Sequence, residues 1–159
     1  MENFIYSIHM KVPRSAFNIM IQLPHQVREA VALIATDPDS REIWLIGSRV
    51  NGTFHERSDW DLLVFSSREP RFVDRRFNHE VDIIHVGPSG TFLREGMPDS
   101  FTIQFSDLHW ASTSSVTASY LGKRLLEFDP GTLRDSEESP FLISSLKAVQ
   151  LWPLSGLQS

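Results

Sequence analysis

The sequence predicts an α/β domain with a mixed β-sheet flanked by helices, and three observations carry that prediction. The apolar runs Ile43-Trp44-Leu45-Ile46 and Leu62-Leu63-Val64-Phe65 have the length and composition of buried strands. Glu80 to Val86 alternates apolar and polar residues with the period of a strand. Val27, Ala30, Val31 and Ile34 recur instead with the period of an amphipathic helix made to pack on such a sheet.

Taken in order, Phe4, Tyr6, Ile8, Met10 and Val12 alternate with smaller or polar residues, which predicts an N-terminal strand ending at Pro13. Pro24 suits a helix start, and the helix should stop before Asp37-Pro38-Asp39-Ser40. The run from Ile43 then breaks at Gly47-Ser48, where a short helix would begin. Asp59-Trp60-Asp61 leads into the second apolar run. Between it and Glu80, Arg68, Arg71, Arg75 and Arg76 make a basic stretch that could touch triphosphate or a partner, although a solvated hairpin turning at Asn78-His79 is the favoured reading. Ser106 to Leu121 is expected to be mostly helical, anchored by Leu108, Trp110, Val116 and Tyr120 and capped by Gly122. Arg124 to Phe128 reads as a short strand stopped by the turn Asp129-Pro130-Gly131. Arg134 to Pro140 is polar and reads as a linker, after which Leu142, Leu146 and Val149 fall on one face of a last helix ended by Trp152-Pro153. The expected organisation is therefore a main domain over 1–133, with its N-terminal strand and helix at 3–36 and its core motifs at 41–86, then a linker and C-terminal helix over 134–159.

Composition excludes several classes. With 41% hydrophobic and 22% charged residues the chain reads as an ordinary globular domain. It lacks the run of roughly 18 apolar residues that a membrane helix needs, and its first segment, carrying Glu2, Lys11 and Arg14, is not a secretory signal, so the cytoplasm is expected. The absence of cysteine excludes disulfides and thiolate metal sites. A net charge of −5 argues against the broad basic face that long nucleic acid requires.

The chemistry concentrates between Ile43 and Val86. Gly47 leaves room for close approach, and Ser48 offers a hydroxyl and a backbone N–H to an anion. Asp59 and Asp61, two apart on a strand, should point to one side, with Trp60 on the other. Neighbouring carboxylates repel, and a hard divalent cation such as Mg²⁺ would relieve them while taking phosphate oxygens as further ligands. Asp82 would join them if its strand lies alongside, and three acids can hold two metals about 3.5 to 4 Å apart for an in-line phosphoryl displacement. Competing readings fit less well. A P-loop would need a lysine after Gly52, and a calcium loop would need ligands and a glycine where Leu63 and Val64 stand. His79, Asp82 and His85 imitate zinc spacing, but His85 should face away from Asp82. His55, in the loop before the acids, is within reach of an acceptor group, although loop histidines are commonly surface residues.

Gly47-Ser48, ten intervening residues and Asp59-x-Asp61 resemble the signature of the minimal nucleotidyltransferases of the DNA polymerase beta superfamily. The resemblance runs from about Arg41 to Val86 and extends weakly to about Leu133. It implies the polymerase-beta-like nucleotidyltransferase fold. It also implies that Gly47 and Ser48 bind nucleotide phosphates, that Asp59, Asp61 and Asp82 bind two Mg²⁺ ions, and that Asp82 helps deprotonate the acceptor. Val50-Asn51 stands where the common form has Ala-Arg, leaving Arg49 or Arg57 to supply the missing cation.

The expected reaction is transfer of AMP from ATP to a hydroxyl group. The chain is similar in size and motif to antitoxins that modify a tyrosine of a HEPN-type ribonuclease toxin, which would place the acceptor on a partner protein. Two alternatives remain: transfer to a small hydroxylated molecule such as an aminoglycoside, and a non-catalytic module that neutralises a toxin by contact.

Overall fold

The computed structural model describes residues 22–71, 80–96, 104–125 and 141–153. The expected N-terminal strand, the hairpin around Asn78-His79, the turn at Asp129-Pro130-Gly131 and the linker from Arg134 lie outside the described residues. Helix α1 spans His25–Ala35 and buries the expected stripe of Val27, Ala30, Val31 and Ile34. Pro24 precedes it with φ −55°, and its carbonyl accepts from the N–H groups of Val27 and Arg28. The helix stops at Thr36, whose hydroxyl donates to Leu33 O, and an Asp37 turn holding Asp39 N–H leads into the sheet.

Seven strands follow among the described residues: β1 Ser40–Ile46, β2 Trp60–Ser66, β3 Val81–Val86, β4 Phe92–Arg94, β5 Ala111–Ser112, β6 Thr117–Leu125 and β7 Phe141–Trp152. One turn of helix, α2 (Ser48–Asn51), follows β1, and a 3₁₀ turn covers Phe105–Leu108. The strands form one mixed sheet in the order β4-β3-β2-β1-β7-β6-β5, in which β2 and β3 are parallel and the other neighbours antiparallel. No helix among the described residues is long and apolar enough to cross a membrane.

The sheet divides two cores. On one face α1 packs over Ile43, Leu45, Leu62, Val64, Val81, Ile83 and Leu151. Each aliphatic side chain fully buried there contributes roughly 1.5–3 kcal/mol by area, an upper bound. On the other face Trp44, Leu63, Val86, Phe92, Ala118, Tyr120, Leu146 and Ala148 are buried beneath Phe105, Leu108 and Trp110. The 3₁₀ turn thus covers this second face, with Phe105 edge-on to Phe65 and Trp110 stacked on Tyr120.

Two expectations are corrected. The helix expected over 106–121 is the 3₁₀ turn followed by β5 and the start of β6. Val116, Ala118 and Tyr120 are buried at a period of two, and the Ser and Thr residues between them are poor helix formers. Gly122 caps nothing; it lies within β6, where a Cβ would come 2.7 Å from Leu146 and 2.9 Å from the Tyr120 ring. The helix expected over the C-terminal stretch is β7, which lies in the sheet between β1 and β6. Alternate residues of a strand face opposite sides, so Leu146, buried in one core, and Val149, of the same parity as Leu151 in the other, lie on opposite faces of β7 although their spacing of three suits one side of a helix.

Candidate active site

Residue parity places the acids. Trp60, Leu62 and Val64 face α1, so Asp61, Leu63 and Phe65 face the aromatic side. In the parallel pair β2 and β3, Asp61 is the register partner of Asp82, which puts the two carboxylates side by side at the strand starts. Asp59 stands one residue before β2 and is exposed. It still lies close enough for its charge to act on Asp61.

Gly47 ends β1 against this pair. It has φ +78°, a conformation that favours glycine, and a Cβ there would collide with Asp61 Oδ2. Behind it, the Gly47 N–H donates to the Tyr120 hydroxyl at 3.0 Å. The α2 turn starts at Ser48 as the sequence predicts, and among the described residues nothing accepts a hydrogen bond from the Ser48 N–H. A single turn has little macrodipole, so these individual donors are what an anion would meet.

The electrostatics follow from packing. Burial, then the charges on Asp82 and Asp59, push the Asp61 carboxyl up to about 6, while Arg94 acts the other way. Burial also raises the Tyr120 phenol above its ordinary value; the Gly47 hydrogen bond opposes that rise and the Asp61 charge adds to it. Arg94 reaches from β4 and grips both oxygens of Asp82, Nε to Oδ1 at 3.1 Å and Nη2 to Oδ2.

Of the two expected arginine substitutes, Arg49 is placed elsewhere. Arg49 donates to Ser58 O at 2.7 Å and lies over the rings of Trp60 and Phe54, 4.7 and 4.8 Å from their centroids. Because Trp60 faces α1, this guanidinium is on the opposite face from Asp61, and it holds the loop rather than the acids. Arg57 is exposed in the turn of that loop. His55 is spent locally: its Nδ1 accepts from Arg57 N–H and its own N–H donates to Ser58 Oγ. His85 faces away from Asp82 as expected, buried with Nε2 2.7 Å from Glu95.

Asn51, where the resemblance leads one to expect arginine, is a structural clamp. Its carboxamide donates to Gly47 O and Lys147 O and accepts from Lys147 N–H at 2.8 Å. The β1–β7 register runs through Trp44↔Gln150 and Leu45↔Val149, so the side chain continues that ladder beyond the end of β1 and ties the loop to β7. Arg94, Tyr120 and Asn51 are the site residues that sequence reasoning missed. Only Asn51 carried a signal, as a departure from the common pattern.

Asp59 and Asp61 fit a divalent cation, since Asp61 is a carboxylate held beside two others with its charge disfavoured by burial. Asp82 as it stands has both oxygens turned to Arg94, and among the described residues no three His, Asp or Glu side chains are gathered closely enough to cage an ion. Two cavities lie away from the acids. One, of about 440 Å³, opens at the far end of β2 between Asp39, Ser66, Arg68, Arg71 and His85. The other, of about 320 Å³, lies on the α1 face beside Leu45, Arg49 and Trp60.

Residues 26–94 match the family described as Nucleotidyltransferase domain. No curated protein and no solved structure matches the chain. The matched stretch takes in α1, the Gly47-Ser48 turn and all three acids, and it ends at Arg94. Members of this family generally move a nucleoside monophosphate from a nucleoside triphosphate with the help of Mg²⁺. The segment from 26 to 94 is therefore similar to a nucleotidyltransferase domain, the family that the Gly47-Ser48 and Asp59-x-Asp61 motifs also resemble.

Proposed function

We propose that this chain transfers AMP from ATP to a hydroxyl group on a partner protein, a tyrosine of a HEPN-type ribonuclease being the acceptor that its resemblance to small antitoxin transferases favours. The observation that carries the proposal is the register pairing of Asp61 with Asp82, with the Cα of Gly47 packed against the Asp61 carboxylate. That arrangement puts phosphate donors and acids within one small patch.

Ser48 binds the triphosphate through its backbone N–H and hydroxyl while Gly47, its own N–H held by Tyr120, leaves room for close approach, and Asp59 and Asp61 would hold magnesium. The chemistry that magnesium would supply when held there is neutralisation of phosphate charge and a more electrophilic α-phosphorus. The acceptor oxygen forms its bond to the α-phosphorus as the bond to the bridging oxygen breaks, and pyrophosphate leaves. Asp82 takes the hydroxyl proton. A protein acceptor suits the exposure of the site. Asp59 is exposed, and Asp82 and Arg94 keep 25% and 30% of their side chains in solvent, within reach of a surface tyrosine. A net charge of −5 suits a nucleotide better than a polynucleotide, and a cytoplasmic setting would supply ATP and magnesium.

The test is incubation with Mg²⁺ and α-labelled ATP, alone and with the product of the neighbouring gene, beside the Asp59→Ala/Asp61→Ala double variant. Label on a partner tyrosine only with intact acids supports the proposal. Label on a small aminoglycoside without any partner would redirect it to that substrate class. Neutralisation of the toxin by the double variant as well as by wild type would replace it with a binding module.

A further inference from the structure

Arg94 is held from a strand, not from a loop. β4 runs antiparallel to β3 with Ile84 opposite Arg94, and the next N–H, of Glu95, donates to Ile83 O at 2.9 Å. The Glu95 side chain turns to the other face and is buried against His85, with only 4% and 9% of the two side chains exposed. The backbone on either side of the Arg94 side chain is therefore fixed, and its guanidinium is delivered to Asp82 without a long flexible reach. A bidentate guanidinium uses the inward lone pairs of both carboxylate oxygens, the same lone pairs a metal ion would take.

We infer that Arg94 stands in for a second divalent cation at Asp82, so that a single ion, held by Asp59 and Asp61, completes the site. The inference rests on the nucleotidyltransferase reading and departs from the two-ion arrangement that the three acids alone imply. Arg94 and one divalent ion carry three positive charges, which balance the three carboxylates Asp59, Asp61 and Asp82. Arg94 also answers the question raised by Asn51. The arginine missing from the loop is not replaced by Arg49, which is turned to Trp60 on the other face, and a cation reaches the acids from β4 instead.

The experiment counts Mn²⁺ ions bound per chain, from the free-ion electron paramagnetic resonance signal during titration of the full chain. Wild type, Arg94→Gln, Arg94→Met and Asp59→Asn/Asp61→Asn are compared, with thermal melting as the check on folding. The expected result is one ion for wild type, two for either folded Arg94 variant, and none for the double variant. Two ions bound by wild type overturn the inference even if neither Arg94 variant folds, and a folded Arg94 variant that still binds one ion also overturns it. If wild type and the double variant alike bind no ion, the metal-dependent reading itself falls and takes the inference with it.

Discussion

The Gly47 N–H meets the Tyr120 hydroxyl at 3.0 Å, joining the turn after β1 to β6 on the far side of β7. Tyr120 is buried and stacked on Trp110, so its hydroxyl is a fixed acceptor beneath the Gly47-Ser48 turn. Tyr120→Phe keeps the ring and removes the acceptor. The expected loss is about 1–2 kcal/mol in urea unfolding, together with an ATP affinity lowered roughly tenfold.

Gly47→Ala should be costlier. The added methyl group meets Asp61 Oδ2 in a backbone conformation that side chains rarely adopt. The strain amounts to about 1–3 kcal/mol of stability, and displacement of Asp61 should lower transfer at least about tenfold. Unfolding curves and initial rates measured on one preparation separate the two effects.

Asn51→Ala removes both hydrogen bonds to Lys147 and the one to Gly47 O. We expect a loss of about 1–3 kcal/mol and faster amide exchange in the Gly47–Gly52 turn, with the rest of the sheet unchanged. Asn51→Arg, which restores the common residue, should not recover that stability, because a guanidinium cannot accept from the Lys147 N–H.

The raised Asp61 pKa sets a pH dependence. Between about pH 4 and 6 the unfolded chain releases the Asp61 proton while the folded chain retains it, so rising pH costs the folded state stability. From the ordinary value of 3.8 to about 6 the full cost is roughly 2–3 kcal/mol, complete above that range. Asp61→Asn should abolish this component, so its stability relative to wild type should climb from pH 4 to pH 7 in urea titrations. Mg²⁺ should stabilise wild type at pH 7 and lose that effect below about pH 5, as the carboxylate becomes protonated.

Much of this site was legible in the sequence because its logic is local. The stripe Val27, Ala30, Val31 and Ile34 depends only on helical period, and the Gly47 turn and Asp61 depend on where two apolar runs begin and end. The pairing of Asp61 with Asp82 followed from two strands lying side by side, which the family resemblance implied. What escaped depends on long-range packing. Arg94 sits in a three-residue strand with no motif of its own, and the alternation of Val116, Ala118 and Tyr120 spans only five residues of a longer stretch whose anchors Leu108 and Trp110 belong to other elements. β7 alternates in burial from Ile143 to Ala148, but the exposed Ile143 and the apolar neighbours Ala148-Val149 and Leu151-Trp152 break the apolar-polar pattern in its sequence that identifies a strand.

The position of β7 also bears on how the molecule comes into being. Leu45 pairs with Val149, about a hundred residues later, so during translation β1 leaves the ribosome long before the neighbour that covers its open edge. The Asn51 clamp closes only on Lys147 of that same strand. A nascent chain carrying every acid therefore still lacks the clamp on its Gly47–Gly52 turn, and it gains that clamp only as β7 docks.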